Sequence, residues 1–370
     1  MREPFKIFYS IFQERSKLKE YRNEGKKIFG TMCNNVPEEI IHAFDAIPIR
    51  MFGNYGNTNL ANSKIPSWTC NYARNVMEGG LRGDFSFVDG VVSATTDDTK
   101  IHLFSAYRFY MKPEFSYLVQ FPYVRDEVSE RFFAKELERF TKHLSSFLSA
   151  EFDEERLSTS IDTYNRYRDL CHEFERLRAH EKPKIRADEF IALMLASLSM
   201  LKEDFISMAE KLPEMLKEHD GFSDYKIRVH LSGTDFYNLT LLRLIEESGM
   251  VVVSDDLCTS AGYFTGNVRG KGFNALAQRY SGCTACVMTS GNTELSVEER
   301  LEFIRKKMKE NRAEAIVLLK DRGCEVCGHQ CPWIVREMDV PVLVLDLDFP
   351  LSIEQYRTRI EAFVEAHGGG

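Results

Sequence analysis

Short apolar runs, each separated from the next by a stretch of helical periodicity, restrict this chain more than any other feature. They are Ile28 and its neighbours, Ala46–Phe52, Val88–Ser93, Tyr117–Tyr123, KIRVHL from Lys226, Met250–Ser254, AIVLL (Ala315–Leu319) and VPVLVLDLD from Val340. Runs this short read as buried strands rather than helices. A strand, a helix and a further strand in sequence argue for parallel pairing, because parallel neighbours need a crossover. The runs fall into two groups, separated by helical periodicity from Arg125 to about His219. The reading is an α/β chain: an N-terminal helix over 1–27, a first α/β lobe over 28–125, a helical bridge over 126–220 and a second lobe over 221–370.

With 370 residues, 44% of them hydrophobic, the chain has material for two real cores. A formal charge of −8 argues against a nucleic-acid partner, which favours a basic face. No apolar run approaches membrane-spanning length. The N-terminal MREPFKIFYSIFQERSKLKEY scatters charges and lacks a small-residue cleavage site, so it does not read as a signal peptide. Nine cysteines without an export signal point to reduced thiols and metal, and to the cytoplasm.

Three of those cysteines, Cys324, Cys327 and Cys331, lie in DRGCEVCGHQCPW, directly after the AIVLL run. Pro332 suits the first turn of a helix, which places the cysteines between a strand and a helix, where open α/β sheets bind ligands. A helix N-terminus also favours thiolate, the metal-binding form. The spacing is similar to cysteine runs that hold iron–sulfur clusters; a structural zinc site and inert buried thiols are the alternatives. Cys70 precedes a helix in the first half, Cys33 stands at a strand-to-helix turn, and Thr95–Asp98 forms another such turn. Ser232–Asp235 and Cys258 are their counterparts in the second half. Cys171 lies mid-helix and reads as core. Cys283 and Cys286 form a further C-x-x-C, without the strand-to-helix context of a redox motif. Gly262–Gly272 lacks a phosphate-loop pattern. His42, His102 and His172 lie on helical stretches and read as packing or solvated groups.

Taken in order, GTMCNNVPEEIIHAFDAIPIRMFG, the Cys70 segment, FVDGVVSATTDD, VVVSDDLCTSAGYF, LAQRYSGC, AIVLLKDRGC and EQYRTRIEAFVE resemble the 2-hydroxyacyl-CoA dehydratase and benzoyl-CoA reductase iron–sulfur subunit family, its double-cubane relatives included. The resemblance spans nearly the whole chain. It implies two Rossmann-like lobes and a dimer with a paralogous subunit or a second copy. It further implies a [4Fe–4S] cluster held by three cysteines, and a separate ATP-hydrolysing iron–sulfur activator that delivers single electrons. The substrate class it implies is an acyl-CoA thioester, which becomes a ketyl radical in the dehydratases. Two departures stand out. Asp97 occupies the place of the family's second cysteine, and Cys327 and Cys331 are additions around the third, Cys324. The expectation is therefore a cluster on Cys70, Cys324 and at least one of Cys327 and Cys331, with Asp97 close by but not essential. A larger double-cubane cluster, or a non-catalytic partner subunit with zinc or no metal, are the alternatives.

Overall fold

The computed structural model describes residues 1–283 and 294–368. Two four-stranded sheets, all parallel, carry the fold. The first holds β1 (Ile28–Thr31), β2 (Ile47–Arg50), β3 (Gly90–Ala94) and β4 (Phe115–Val119), in the order β2-β1-β3-β4. The second holds β5 (Ile227–Ser232), β6 (Met250–Asp255), β7 (Ala315–Asp321) and β8 (Val342–Leu347), in the order β6-β5-β7-β8. The two lobes thus repeat one Rossmann-like winding. Strands β1, β2, β3, β5 and β6 are buried along their whole length, as sheets covered on both faces require. The Tyr117–Tyr123 run leaves its sheet early, because β4 pairs only with β3 and that ladder ends at Ala94–Val119.

The N-terminal segment forms two helices, Glu3–Glu14 and Ser16–Asn23, broken at Arg15. Arg15 is left-handed (φ 53°), and its guanidinium lies over the rings of Phe85 and Phe87 while donating to the Asp84 carbonyl. The long helix Glu154–Ala179 ties the lobes together through charge. Its buried Arg168 pairs with Glu39 of the first lobe, and its buried Arg178 pairs with Asp255 of the second at 2.6 Å. The helix Ala187–Ser197 is buried on every face, in agreement with its apolar sequence.

Glu246 ends its helix inside the core, accepting from the Val252 and Ala187 amides. Burial still pushes its carboxyl up to about 8. The unfolded chain ionises Glu246 near pH 4.3 whereas the folded chain keeps it protonated, so the folded state binds more protons between those values. Glu246 therefore destabilises the fold progressively as pH rises from about 4.5 to 8, by on the order of 4 kcal/mol. In urea melts, the stability difference between wild type and Glu246→Gln should change by that amount across this window. A difference that stays flat would show that Glu246 ionises normally.

Candidate metal centre between the lobes

In open parallel sheets the ligand crevice opens where strand order reverses. The first lobe reverses between β1 and β3, and the loops that leave these strands carry Cys33 and Thr95–Asp98. The second lobe reverses between β5 and β7, whose loops carry Gly233–Asp235 and Arg322–Cys324. The two crevices face each other. Asn71 of the first lobe donates to the Asp321 carboxylate and to the Leu347 carbonyl of the second, and the Asn34 amide donates to the Cys258 carbonyl at 2.8 Å.

Three helices begin at this junction: Asn71–Arg82 after Cys70, Asp98–Met111 after Asp97, and Glu325–Glu337 after Cys324. The side chain of Asp97 caps its helix by accepting from the Lys100 amide at 3.0 Å, and the Cys324 sulfur accepts weakly from the Cys327 amide at 3.4 Å. Cys70, Asp97 and Cys324 line one small cavity, together with Lys100, Asp235 and Asp321. Close approach of the lobes depends on Gly323, which is left-handed at φ 79°. A β-carbon there would lie 2.2 Å from the Trp68 carbonyl oxygen and 3.1 Å from the Cys70 nitrogen.

A buried ion triad adjoins the cavity. Asp235 takes Arg50 at 2.7 Å and Lys100 at 2.9 Å, all three side chains being 3% exposed or less. Two cations share one carboxylate, which leaves one positive charge, and the Lys100 ammonium rests 3.4 Å from the centre of the Tyr72 ring. Burial opposes ionisation of Asp235, but Lys100 and Arg50 outweigh it and hold the carboxyl below its usual range. The thiols behave otherwise. Burial, then Asp321 and Cys324, push the Cys70 thiol well up. Hydrogen bonding to Cys327, then burial, does the same for Cys324. The helix N-terminus was expected to favour thiolate, but loss of solvent and nearby acidic groups win here. Burial also raises Asp97, and it raises Asp321 to about 7. Donors held neutral in this way release protons when a metal binds.

The four cysteines named from the sequence stand in different surroundings, although the Cys327 thiol is hydrogen-bonded to that of Cys324. Cys70 and Cys324 meet at the cavity. Cys327 and Cys331 lie on the same helix as Cys324 but pack among Leu301, Ile304, Ile316, Leu318 and Ile334. Spacing of three and seven residues does put them on one helical face, yet that face turns toward the strand β7 and the helix Glu294–Asn311. The helix also begins before Pro332 rather than at it. Pro332 sits inside, without the amide that would bond the Gly328 carbonyl. Cys258 and Cys283 pack together against Cys324 and Val326. Cys33 lies 3.2 Å from the Thr96 hydroxyl, Cys171 is core, and Cys286 falls outside the described residues. The roles of Arg50, Lys100, Asp321 and Gly323 were missed; only Asp235 had a signal, its place in a strand-end turn.

Among the described residues, no three His, Cys, Asp or Glu side chains converge tightly enough to hold a single ion. None of the described helices is long and apolar enough to cross a membrane.

Two facing parallel α/β lobes with thiols at their crevices define the class: a two-lobed α/β protein. The chain belongs to the family of the 2-hydroxyglutaryl-CoA dehydratase D-component, whose model matches residues 33–366. It is 23% identical to the (R)-2-hydroxyglutaryl-CoA dehydratase subunit beta of Acidaminococcus fermentans, over 95% of each chain. It is 20% identical to the (R)-phenyllactyl-CoA dehydratase beta subunit of Clostridium sporogenes, over 98% of each. Against a benzoyl-CoA reductase subunit of Thauera aromatica it is 22% identical, over 81% of this chain and 79% of that one.

Proposed function

We propose that this chain is the iron–sulfur subunit of a cytoplasmic 2-hydroxyacyl-CoA dehydratase or acyl-CoA reductase. It would pair with a paralogous subunit or a second copy and take single electrons from an ATP-hydrolysing iron–sulfur activator. The observation that carries this reading is the meeting of Cys70 and Cys324, from opposite lobes, at one cavity. The relatives' names, which include dehydratase and reductase subunits, support the reaction class.

The donor chemistry fits a cluster. The thiols of Cys70 and Cys324 and the acidic side chains of Asp97, Asp235, Asp321 and Glu325 line the cavity, no three of them converging on one point, which suits ligands spread over several irons better than the tight tetrahedron of zinc. We assign Cys70 and Cys324 as thiolate ligands, with Asp97 as the third donor in place of Cys327 or Cys331. When bound, such a cluster supplies low-potential single electrons and an iron open to an oxygen ligand. The chain's own residues set its surroundings. Lys100, anchored by Asp235, places positive charge beside an anionic group in a dry site, where charge interactions are strong. Asp321, its carboxyl raised by burial to about 7, is divided between protonated and ionised forms at neutral pH and can exchange a proton at the edge of the cavity.

Iron and acid-labile sulfide counted after anaerobic purification test the assignment. Cys70→Ala, Cys324→Ala and Asp97→Ala should each lose most of their iron, whereas Cys327→Ala and Cys331→Ala, singly or together, should keep it. Retention by Asp97→Ala with loss from the double cysteine variant would return the third position to Cys327 or Cys331. Cys258 and Cys283, packed against Cys324, favour one second reading, a double-cubane cluster. Iron near eight per chain, rather than about four, would establish it.

A further inference from the structure

Cys327 and Cys331 have no place in the proposed cluster, yet neither is an isolated core thiol. The Cys324 and Cys327 thiols are hydrogen-bonded, and so are those of Cys327 and Cys331. Cys324 and Cys327 form a C-x-x-C between the strand β7 and a helix, the context that redox dithiols use. Geometry favours closure of this pair over the other. Cys324 is the cap residue, at φ −86° and ψ 108°, so it lies outside the helical repeat. Its sulfur folds back over the first turn, 3.4 Å from the Cys327 amide. Cys327 and Cys331 are both inside the helix at i and i+4, where β-carbons stand about 5–6 Å apart. A disulfide needs about 3.5–4.5 Å. That pair would have to unwind the helix, whereas the cap residue is free to turn toward Cys327.

Access follows the same division. Cys327 and Cys331 are 3% and 5% exposed, while Cys324 is only partly buried. The small cavity at Cys324 shares Asp97, Glu325 and Val326 with an open one of about 560 Å³, which reaches Tyr123 and His329. Asp97, Asp98 and Glu325 give that mouth an acidic lining, which turns away anionic oxidants more than neutral ones.

From these features we infer that Cys324 and Cys327 are a redox dithiol, which closes to a disulfide under a small neutral peroxide. The Cys324 sulfur attacks one peroxide oxygen, the O–O bond breaks, and a sulfenic acid and a water form. The Cys327 sulfur then attacks the Cys324 sulfur, the S–O bond breaks, and the hydroxyl leaves as a second water. The two thiols lose two electrons and two protons in all, and hydrogen peroxide is reduced to water. Hydrogen bonding to Cys327 and burial hold Cys324 as a thiol, so the reaction takes hours rather than seconds. The consequence rests on the proposed cluster site: a chain closed in this way withholds Cys324 from iron until it is reduced. It is also spared irreversible oxidation of that sulfur.

Full chain prepared without iron, exposed overnight to a small molar excess of hydrogen peroxide, then unfolded, alkylated and mapped by mass spectrometry, tests this. In the peptide that carries Cys324, Cys327 and Cys331, only Cys331 should be alkylated, and dithiothreitol should return the other two. Oxidised glutathione, an anionic disulfide, should give roughly tenfold less of the same product. Cys331→Ser should oxidise as wild type does. Cys327→Ser should instead accumulate the Cys324 sulfenic acid, trapped by dimedone, and under excess peroxide a sulfinic acid that dithiothreitol does not reverse. Alkylation of both Cys324 and Cys327 after peroxide overturns the inference, as does a disulfide from Cys324 to Cys70, Cys258 or Cys283. Iron uptake separates this from the cluster assignment, since the oxidised chain should take up iron only after reduction. Full uptake with the disulfide mapped in place would leave the dithiol standing and remove Cys324 from the cluster.

Discussion

Replacing Gly323 by alanine will cost about 2–4 kcal/mol of stability and, on the proposed cluster site, most of the iron. Its left-handed backbone (φ 79°) already disfavours any residue with a β-carbon. The larger part of the cost comes from contact. The new carbon would lie 2.2 Å from the Trp68 carbonyl oxygen, 3.0 Å from the Thr69 carbonyl carbon and 3.1 Å from the Cys70 nitrogen. All three are backbone atoms, so no rotamer change relieves the overlap and the Cys70 loop must move away from Cys324. The neighbouring Gly328 supplies the control, since a β-carbon there meets nothing within 4 Å. Gly328→Ala lies inside a helix and should be neutral or gain up to about 1 kcal/mol, with full iron. Urea melts and iron counts on the two variants decide the matter. If Gly323→Ala matches wild type in both, the lobes are not held this close at the cysteines.

Asp235→Asn should be as damaging, for an electrostatic reason. It leaves Arg50 and Lys100 buried together with no anion between them, and breaking a buried ion group in this way costs about 3–5 kcal/mol. The pH dependence gives a second signature. The folded carboxyl is held below its unfolded value near 3.9, so its contribution is fully present above that pH and is lost as pH falls through the folded value. The gap between wild type and variant should therefore be level above about pH 4 and narrow below it. A loss of less than about 1 kcal/mol at pH 7 would mean that solvent reaches the triad.

Much of this architecture was legible in the residues. All eight strands arise from the apolar runs, because runs this short, rich in β-branched residues and flanked by turn residues, favour a buried strand over a helix. Alternation with helical segments entails parallel sheets, and strand ends in parallel sheets are where Cys70, Asp97, Ser232–Asp235 and Cys324 had to be sought. The family segments, read in order, pointed to the same fold.

What the residues did not reveal is which way each helix turns. Cys324, Cys327 and Cys331 share a face by spacing, but the packing of Leu301, Ile304, Ile316 and Leu318 claims that face from Cys327 onward. Only the capping position, Cys324, is left at the cavity, with Asp97 opposite. In the same way, Arg50, Lys100 and Asp235 stand on three elements with no shared periodicity, and each alone reads as an ordinary surface charge. Local sequence determines the elements because strand and helix preferences act over a few residues. Tertiary structure decides the site because burial and charge pairing depend on residues that meet only when the two lobes close on each other.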